Sequence, residues 1–262
     1  MHLWSSPQSG VTVEAFEEAQ IGDETASRWL KLRRVKYTTC AIAGEHGKSL
    51  VWDCIKSTDG VGVLAYHRDK RAFVCVRQFR PPVFRSARER AHLGVQVDGP
   101  TDGEPGMTLE LVAGLHLDKV SKPECASAEL YEEAGFKVDP SRMERIATHA
   151  SGLGTTGTCL AVYYCELGDE DAAPGAGGGL VAEGERTEPV LVPLEDVPLV
   201  LASSRSMHIP GGLMWALQFG LERVTREERR RAEVVSRMRW AAGGAVAGAA
   251  AVWWALRGPA LW

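Results

Sequence analysis

The sequence has no C-x-x-C pair, and its six cysteines, Cys40, Cys54, Cys75, Cys125, Cys159 and Cys165, are scattered. That excludes zinc sites built on paired ligands and outlines no disulfide framework; reduced, mostly buried thiols are expected. Charge of one sign is not in excess either. Lys+Arg 30 against Asp+Glu 34 leaves a formal net charge of −4, so no global basic field points to nucleic acid, and no nucleic-acid partner is expected. Met1–Gly10 lacks a basic stretch followed by an apolar core. A cleaved secretory leader is not expected, and a cytoplasmic location is. No repeat of solenoid length recurs. With 45% hydrophobic and 24% charged residues over 262 positions, disordered, collagen-like and polytopic membrane classes are excluded, and a core can be buried without staples.

What is present alternates between short strands and helices. Trp29–Tyr37 and Ser49–Ile55 read as strands around a turn at Glu45–Lys48, a small antiparallel N-terminal sheet. Gly60–Tyr66 and Ala72–Phe79 read as a hairpin turning at His67–Lys70 and stopped by Pro81-Pro82. Arg85–Gly106 reads as a polar loop and Thr108–Val112 as one short strand. Pro123–Ala134 reads as a helix, with Ala126, Leu130 and Ala134 on one stripe and Gly135 as the stop. Strands follow at Met143–Ala150, Cys159–Cys165 and Val190–Pro193, with a Gly/Ala/Asp loop at Gly168–Gly179 and a helix at Gly211–Val234. This order predicts an α+β layered fold.

The densest chemistry lies between Gly114 and Phe136. Glu129, Glu132 and Glu133 sit at helical spacings that put them on about the same side of the helix. Like charges so placed repel, and a divalent cation reverses the sign. Hard oxygen ligands suit Mg²⁺ or Mn²⁺ bridging to a phosphate. By itself such a triplet is more often a solvated acidic face. Its surroundings are specific, however. Gly114, Glu129, Leu130, Glu132, Glu133, Gly135 and Phe136 resemble the signature of the Nudix hydrolases: Gly, five residues, Glu, seven residues, Arg-Glu-apolar-x-Glu-Glu-x-Gly-apolar. Seven of its nine fixed positions match, and Val120 and Ala128 stand in place of the first Glu and the Arg. Those two brace the loop against the helix in the family, so loop rigidity is in question and the metal set is not; Glu124 is a candidate substitute brace.

The resemblance runs from about Ser49 to Val197 and is strongest with the nucleoside-diphosphate-sugar pyrophosphatase branch, above all its uridine diphosphate glucose members. Glu110-Leu111-Val112-Ala113-Gly114 resembles the branch's E-x-x-A-G, Arg77–Pro81 its Q-F-R-P strand end, Ser151–Gly157 its S-G-x-G-x-T-G loop, and Gly177–Glu185 its G-G-G-L-V-x-E-G-E segment. This implies a Nudix α/β/α sandwich with a small N-terminal sheet and a C-terminal helical tail. It implies cation ligation by the Ala113 carbonyl with Glu129, Glu132 and Glu133, and substrate contacts from Arg80 and Gly114. It also implies a general base on the loop after the box, Glu183 ahead of Glu185. Trp52 is a candidate platform for the nucleobase, although a half-buried strand tryptophan is the plainer reading. A homodimer through the N-terminal sheet is likewise implied. The expected reaction is Mg²⁺-dependent cleavage of UDP-glucose to UMP and glucose 1-phosphate. ADP-ribose hydrolysis is the alternative, and a Nudix-fold binding or scaffold protein is the alternative of another class.

Three regions are expected: residues 1–56 for the N-terminal sheet and dimerisation, 57–222 for the hydrolase domain and 223–262 for the tail. Arginine-rich Val224–Arg239 reads as a charge-laced helix. Trp240–Leu256 is uncharged, carries Gly244 and Gly248 as G-x-x-x-G, and has the minimum length for a span. A tail anchor on an organelle membrane, a packed helix and an extended tail all remain open for residues 240–262.

Overall fold

A computed structural model describes residues 30–38, 49–92, 106–117, 119–203 and 208–256, with side chains described as far as residue 238. The chain divides into two compact units, Met1–Leu217 and Gln218–Trp262. In the first unit, strand β3 (Gly60–His67) is buried at every position. Side chains alternate across a strand, so uninterrupted burial means that both sheet faces are covered. One edge of β3 is shared. Ala65–His67 pair antiparallel with β4 (Ala72–Phe79), and Gly60–Val63 pair antiparallel with β6 (Val112–Leu115). The other edge runs parallel to β8 (Thr158–Leu167), beyond which lies β7 (Glu144–Ser151). β5 (Met107–Glu110) and β9 (Thr187–Pro193) pair with β4, completing a seven-stranded mixed sheet.

Helix α2 (Lys122–Ala134) packs on one face, where Ala126, Leu130 and Ala134 join Val61, Val63, Val74, Val76 and Val112 in the core. The stripe read from the sequence is this contact. Ser121 and Glu124 form a reciprocal capping box at its start, and Gly135, at φ 76°, takes the left-handed conformation that ends it. Removing the fully buried Leu130 side chain costs about 2–5 kcal/mol by the usual scale of cavity mutants. Buried residues outside this cluster include Val197 and Val200 from α3 (Val197–Ala202) and Leu213, Ala216 and Leu217 from the first turns of α4 (Gly211–Leu256).

Several expectations are corrected. The start of the Arg85–Gly106 loop is helical: α1 spans Pro81–His92, and residues 93–105 lie outside the described residues. Proline does end a sheet ladder, but it is also suited to the first helical turn, where its missing N–H has no acceptor to lose. The single strand Thr108–Val112 is two strands separated at Leu111. The chain leaves the edge of β4 there and joins β3 instead, a change of partner that periodicity does not record. The helix expected over Gly211–Val234 continues to Leu256, and α3 was not anticipated.

The small N-terminal sheet is present. β1 (Lys31–Thr38) and β2 (Ser49–Lys56) pair antiparallel from Lys31↔Lys56 to Thr38↔Ser49; Glu45–Lys48 and Cys40 lie outside the described residues. The five described cysteines are free, and burial pushes the Cys75 and Cys165 thiols up to about 12, which makes them inert. In the second unit, among the described residues, no helix is long and apolar enough to cross a membrane. The tail-anchor expectation for residues 240–262 therefore gains no support.

Candidate active site

Two consecutive residues of β6 meet two carboxylates one helical turn apart on α2. Gly114 lies under Glu129: a Cβ on Gly114 would sit 1.8 Å from Glu129 Oε1, so no side chain fits there while the carboxylate stays. Beside it, the Ala113 N–H donates to Glu133 Oε2 at 2.8 Å. Glu133 is 0% exposed, and its Oε1 is buried without a partner. Burial pushes Glu133 up to about 8, with the charges of Glu185 and Glu129 adding to the effect and the Ala113 N–H opposing it. Burial, then the charges of Glu132, Glu185 and Glu183, push Glu129 up to about 7. Glu132 is raised by burial and by Glu185 and Glu183. Carboxylates crowded to this degree resist ionisation unless a cation joins them. An orphaned buried oxygen and an all-oxygen donor set fit a hard divalent ion.

The glycine-rich segment is stitched to the end of the same helix. The N–H groups of Gly178 and Gly179 donate to the carbonyls of Glu133 and Glu132 at 3.0 and 2.9 Å, and Thr187 Oγ1 donates to the Glu133 carbonyl at 3.1 Å. Helix-terminal carbonyls that have no helical donor are satisfied in this way. Contact this close needs glycine: a Cβ on Gly177, at φ +90°, would lie 2.9 Å from the Gly135 nitrogen. The glycines therefore serve close approach, and they carry Glu183 and Glu185 to the acidic cluster.

Arg80 follows β4 and is fixed by a bidentate pair with Glu110 of β5, Nε–Oε1 2.8 Å and Nη2–Oε2 2.7 Å. Burial works against the Glu110 charge, yet the Arg80 and Thr108 hydrogen bonds hold its pKa below the ordinary value. At Val120, the first departure from the signature, and at the adjoining helix start, other groups hold the loop. His116 Nε2 lies 2.8 Å from the Val120 carbonyl, and Glu124 Oε2 accepts from both the N–H and the hydroxyl of Ser121. His116 was not singled out from the sequence, and Glu110 entered only as the first residue of E-x-x-A-G, with no role given. Their partners are non-adjacent backbone and side-chain groups, so no spacing rule predicts these contacts.

Arg80, Ala113, Gly114, Glu129, Glu132, Glu183 and Glu185 all line one cleft of about 1130 Å³, with Glu133 buried beneath it. Trp52 is not among the lining residues. It is 53% exposed, and its Nε1 donates to the Gly154 carbonyl at 3.0 Å, which ties the N-terminal sheet to the Ser151–Gly157 loop. Elsewhere, His67, Asp69 and Asp169 have the spacing of metal ligands. Lys70 Nζ is 3.2 Å from Asp169, however, and the Lys70 N–H approaches His67 Nδ1 at 3.4 Å. A lysine already supplies the positive charge there, so the trio latches the β3–β4 turn to the end of β8.

No family model matches the chain. Curated proteins do. The chain is 34% identical over 196 residues to uridine diphosphate glucose pyrophosphatase NUDT14 of Bos taurus, covering 70% of this chain and 84% of that protein. The chain belongs to the Nudix hydrolases, in the nucleoside-diphosphate-sugar pyrophosphatase branch. The Mus musculus protein of the same name is 35% identical over 164 residues, 58% of this chain and 73% of its own length. GDP-mannose pyrophosphatase of Pectobacterium atrosepticum is 31% identical over 147 residues, 56% of this chain and 65% of its own. As a Nudix hydrolase, the chain carries its acidic cluster where the helix and the sheet edge meet.

Proposed function

We propose that this Nudix hydrolase cleaves the diphosphate of a nucleoside diphosphate sugar, with UDP-glucose as the first substrate and Mg²⁺ as the ion. Water would be added and UMP and glucose 1-phosphate released. The observation that carries the reading is the meeting of Glu129 and Glu133 with Gly114 and Ala113 inside a cleft that also holds Arg80. Glu129, Glu132, Glu133 and the Ala113 carbonyl would hold the ion, with Mn²⁺ an acceptable replacement. The bound ion supplies charge neutralisation at the phosphoryl oxygens and a lowered pKa for water. Arg80, held flat by Glu110, offers its guanidinium to the diphosphate. Glu185 or Glu183 takes the proton of the attacking water. The charge of Glu185 acts on Glu129, Glu132, Glu133 and Arg80, and that of Glu183 acts on Glu129 and Glu132.

A homodimer through β1–β2 is part of this reading. A lone two-stranded hairpin is marginal in water, and this one exposes Leu32, Val35, Val51 and Trp52, apolar surface of the kind that marks an interface. Sedimentation of the chain and of a Leu32→Ser, Val51→Ser variant tests it. The reaction is tested by product analysis with UDP-glucose, GDP-mannose and ADP-ribose, with Mg²⁺ and with EDTA. Release of UMP and glucose 1-phosphate only with the metal, and fastest from UDP-glucose, is expected. A folded protein that cleaves none of the three overturns the reading in favour of a binding protein.

A further inference from the structure

The cleft has a second pole, away from the carboxylates, and the sheet register measures its distance. His149 of β7 is opposite Leu160 of β8, Leu160 is opposite Gly60 of β3, and Gly60 is opposite Leu115 of β6. Directly opposed residues face the same side of a sheet, and all four line the cleft. Three strand spacings separate His149 from Leu115, about 14 Å at roughly 4.8 Å each. Leu115 is two residues beyond Ala113, so the cleft floor runs from the acidic cluster at one end to an imidazole at the other. Gly60 keeps that floor low, since a Cβ there would lie 2.9 Å from the Gly114 carbonyl oxygen and 3.0 Å from Leu160 Cδ1.

His149 is half-buried, and its ring rests against the first turn of α4: a Cβ on Gly212 would come within 3.3 Å of His149 Cε1 and Nε2. Among the described residues no group hydrogen-bonds either ring nitrogen. Near the same end the cleft is lined by Ser57, Thr58 and Ser151, whose hydroxyls have no partner among the described residues. Apart from His149, whose ring is packed against Gly212, no aromatic side chain is among the described residues lining the cleft, and the guanidinium of Arg80 is held by Glu110. A nucleobase is usually held on a flat aromatic or guanidinium face. An imidazole packed against a helix turn, together with three hydroxyls, offers several hydrogen bonds at this pole, which suits a polyhydroxyl ring.

We propose that this pole binds the glycosyl group of the substrate and that His149 is its specificity-determining residue, hydrogen-bonding a sugar hydroxyl. The inference rests on the nucleotide-sugar reading above and assigns the two ends of that substrate: the diphosphate at Ala113–Gly114, the sugar at His149, and the base toward the mouth of the cleft.

The test uses two ligands, UDP-glucose and the methyl ester of UDP, which keeps base and diphosphate but lacks the hexose. Loss of one such hydrogen bond is worth about tenfold. His149→Ala is expected to raise KM and the calorimetric Kd for UDP-glucose about tenfold, to leave kcat within about twofold, and to leave the methyl ester unaffected. His149→Gln, which keeps a donor and an acceptor, should recover most of the loss. Gly212→Ala, which crowds the ring without removing it, should act in the same direction. Unchanged UDP-glucose affinity in His149→Ala overturns the proposal whatever the turnover, as does an equal loss for both ligands in a protein that melts like the parent. Tight UDP-glucose binding that depends on His149 but gives no hydrolysis would uphold this assignment and overturn the hydrolytic reading instead.

Discussion

Replacing Glu133 with glutamine probes the acidic cluster most directly. The carboxyl is fully buried, with one oxygen on the Ala113 N–H and the other unpartnered. Burial carries its pKa from an ordinary 4.5 up to about 8. Between those values the folded chain keeps a proton that the unfolded chain has released. Stability of the metal-free protein is therefore complete below the lower value and declines as pH rises toward the upper one, by about 1.4 kcal/mol per pH unit. From pH 5 to pH 8 that is on the order of 4 kcal/mol, or roughly 10 °C in melting temperature for a unit of this size. Glutamine carries no charge to desolvate. In EDTA at pH 8 the Glu133→Gln variant should thus outlast the parent by that order, and at pH 5 the two should melt together. Glu129, pushed up to about 7, remains in both proteins and gives the variant a shallower slope of the same sign. Adding Mg²⁺ at pH 8 should raise the melting temperature of the parent far more than that of the variant, and hydrolysis should be lost. Circular-dichroism melts at pH 5, 6.5 and 8, with EDTA and with Mg²⁺, read all of this. A variant no more stable than the parent at pH 8 in EDTA, or one that still hydrolyses substrate, refutes the reasoning.

Other changes follow from the same contacts. Gly114→Ala would place a Cβ 1.8 Å from Glu129 Oε1; displacing that carboxylate should weaken Mg²⁺ activation by about 10–100-fold while the far-ultraviolet spectrum is kept. Glu185→Gln should lower kcat by about 10²–10⁴-fold, the range for a lost general base, and Glu183→Gln by less, the reverse of the order that the resemblance implies; equal losses in single-turnover assays would contradict this order. Gly177→Ala, at φ +90° and 2.9 Å from the Gly135 nitrogen, should cost about 1–3 kcal/mol in urea denaturation and reduce turnover by shifting the loop that bears both acids.

Much of the site was legible because its spacing is local. Glu129, Glu132 and Glu133 share one helix, and three to four residues along a helix is a contact distance fixed by covalent geometry. Gly135 marks the end of that helix for an equally local reason, whereas the Ser121–Glu124 capping box at its start, just as local, was not read from the sequence. The prolines after Phe79 misled because the same residue that ends a ladder also starts a helix. The break at Leu111 could not be read, since the two strands differ only in which neighbour they pair with. The glycines of 177–179 were legible as a loop but not as a close contact with α2.

The sequence by itself determined the glutamate-bearing helix, its Gly135 stop, its three glutamates and the acids that follow at Glu183 and Glu185, all of which are short-range patterns. The tertiary structure alone decided that Gly114 must lack a side chain so that Glu129 can lie over it, and that Arg80 is clasped by Glu110. It alone decided that Trp52 hydrogen-bonds the Gly154 carbonyl and is not among the cleft-lining residues, and that His149 stands three strand spacings from Leu115. Those relations join residues far apart in the chain. They depend on strand register and helix placement, which only the packed fold sets.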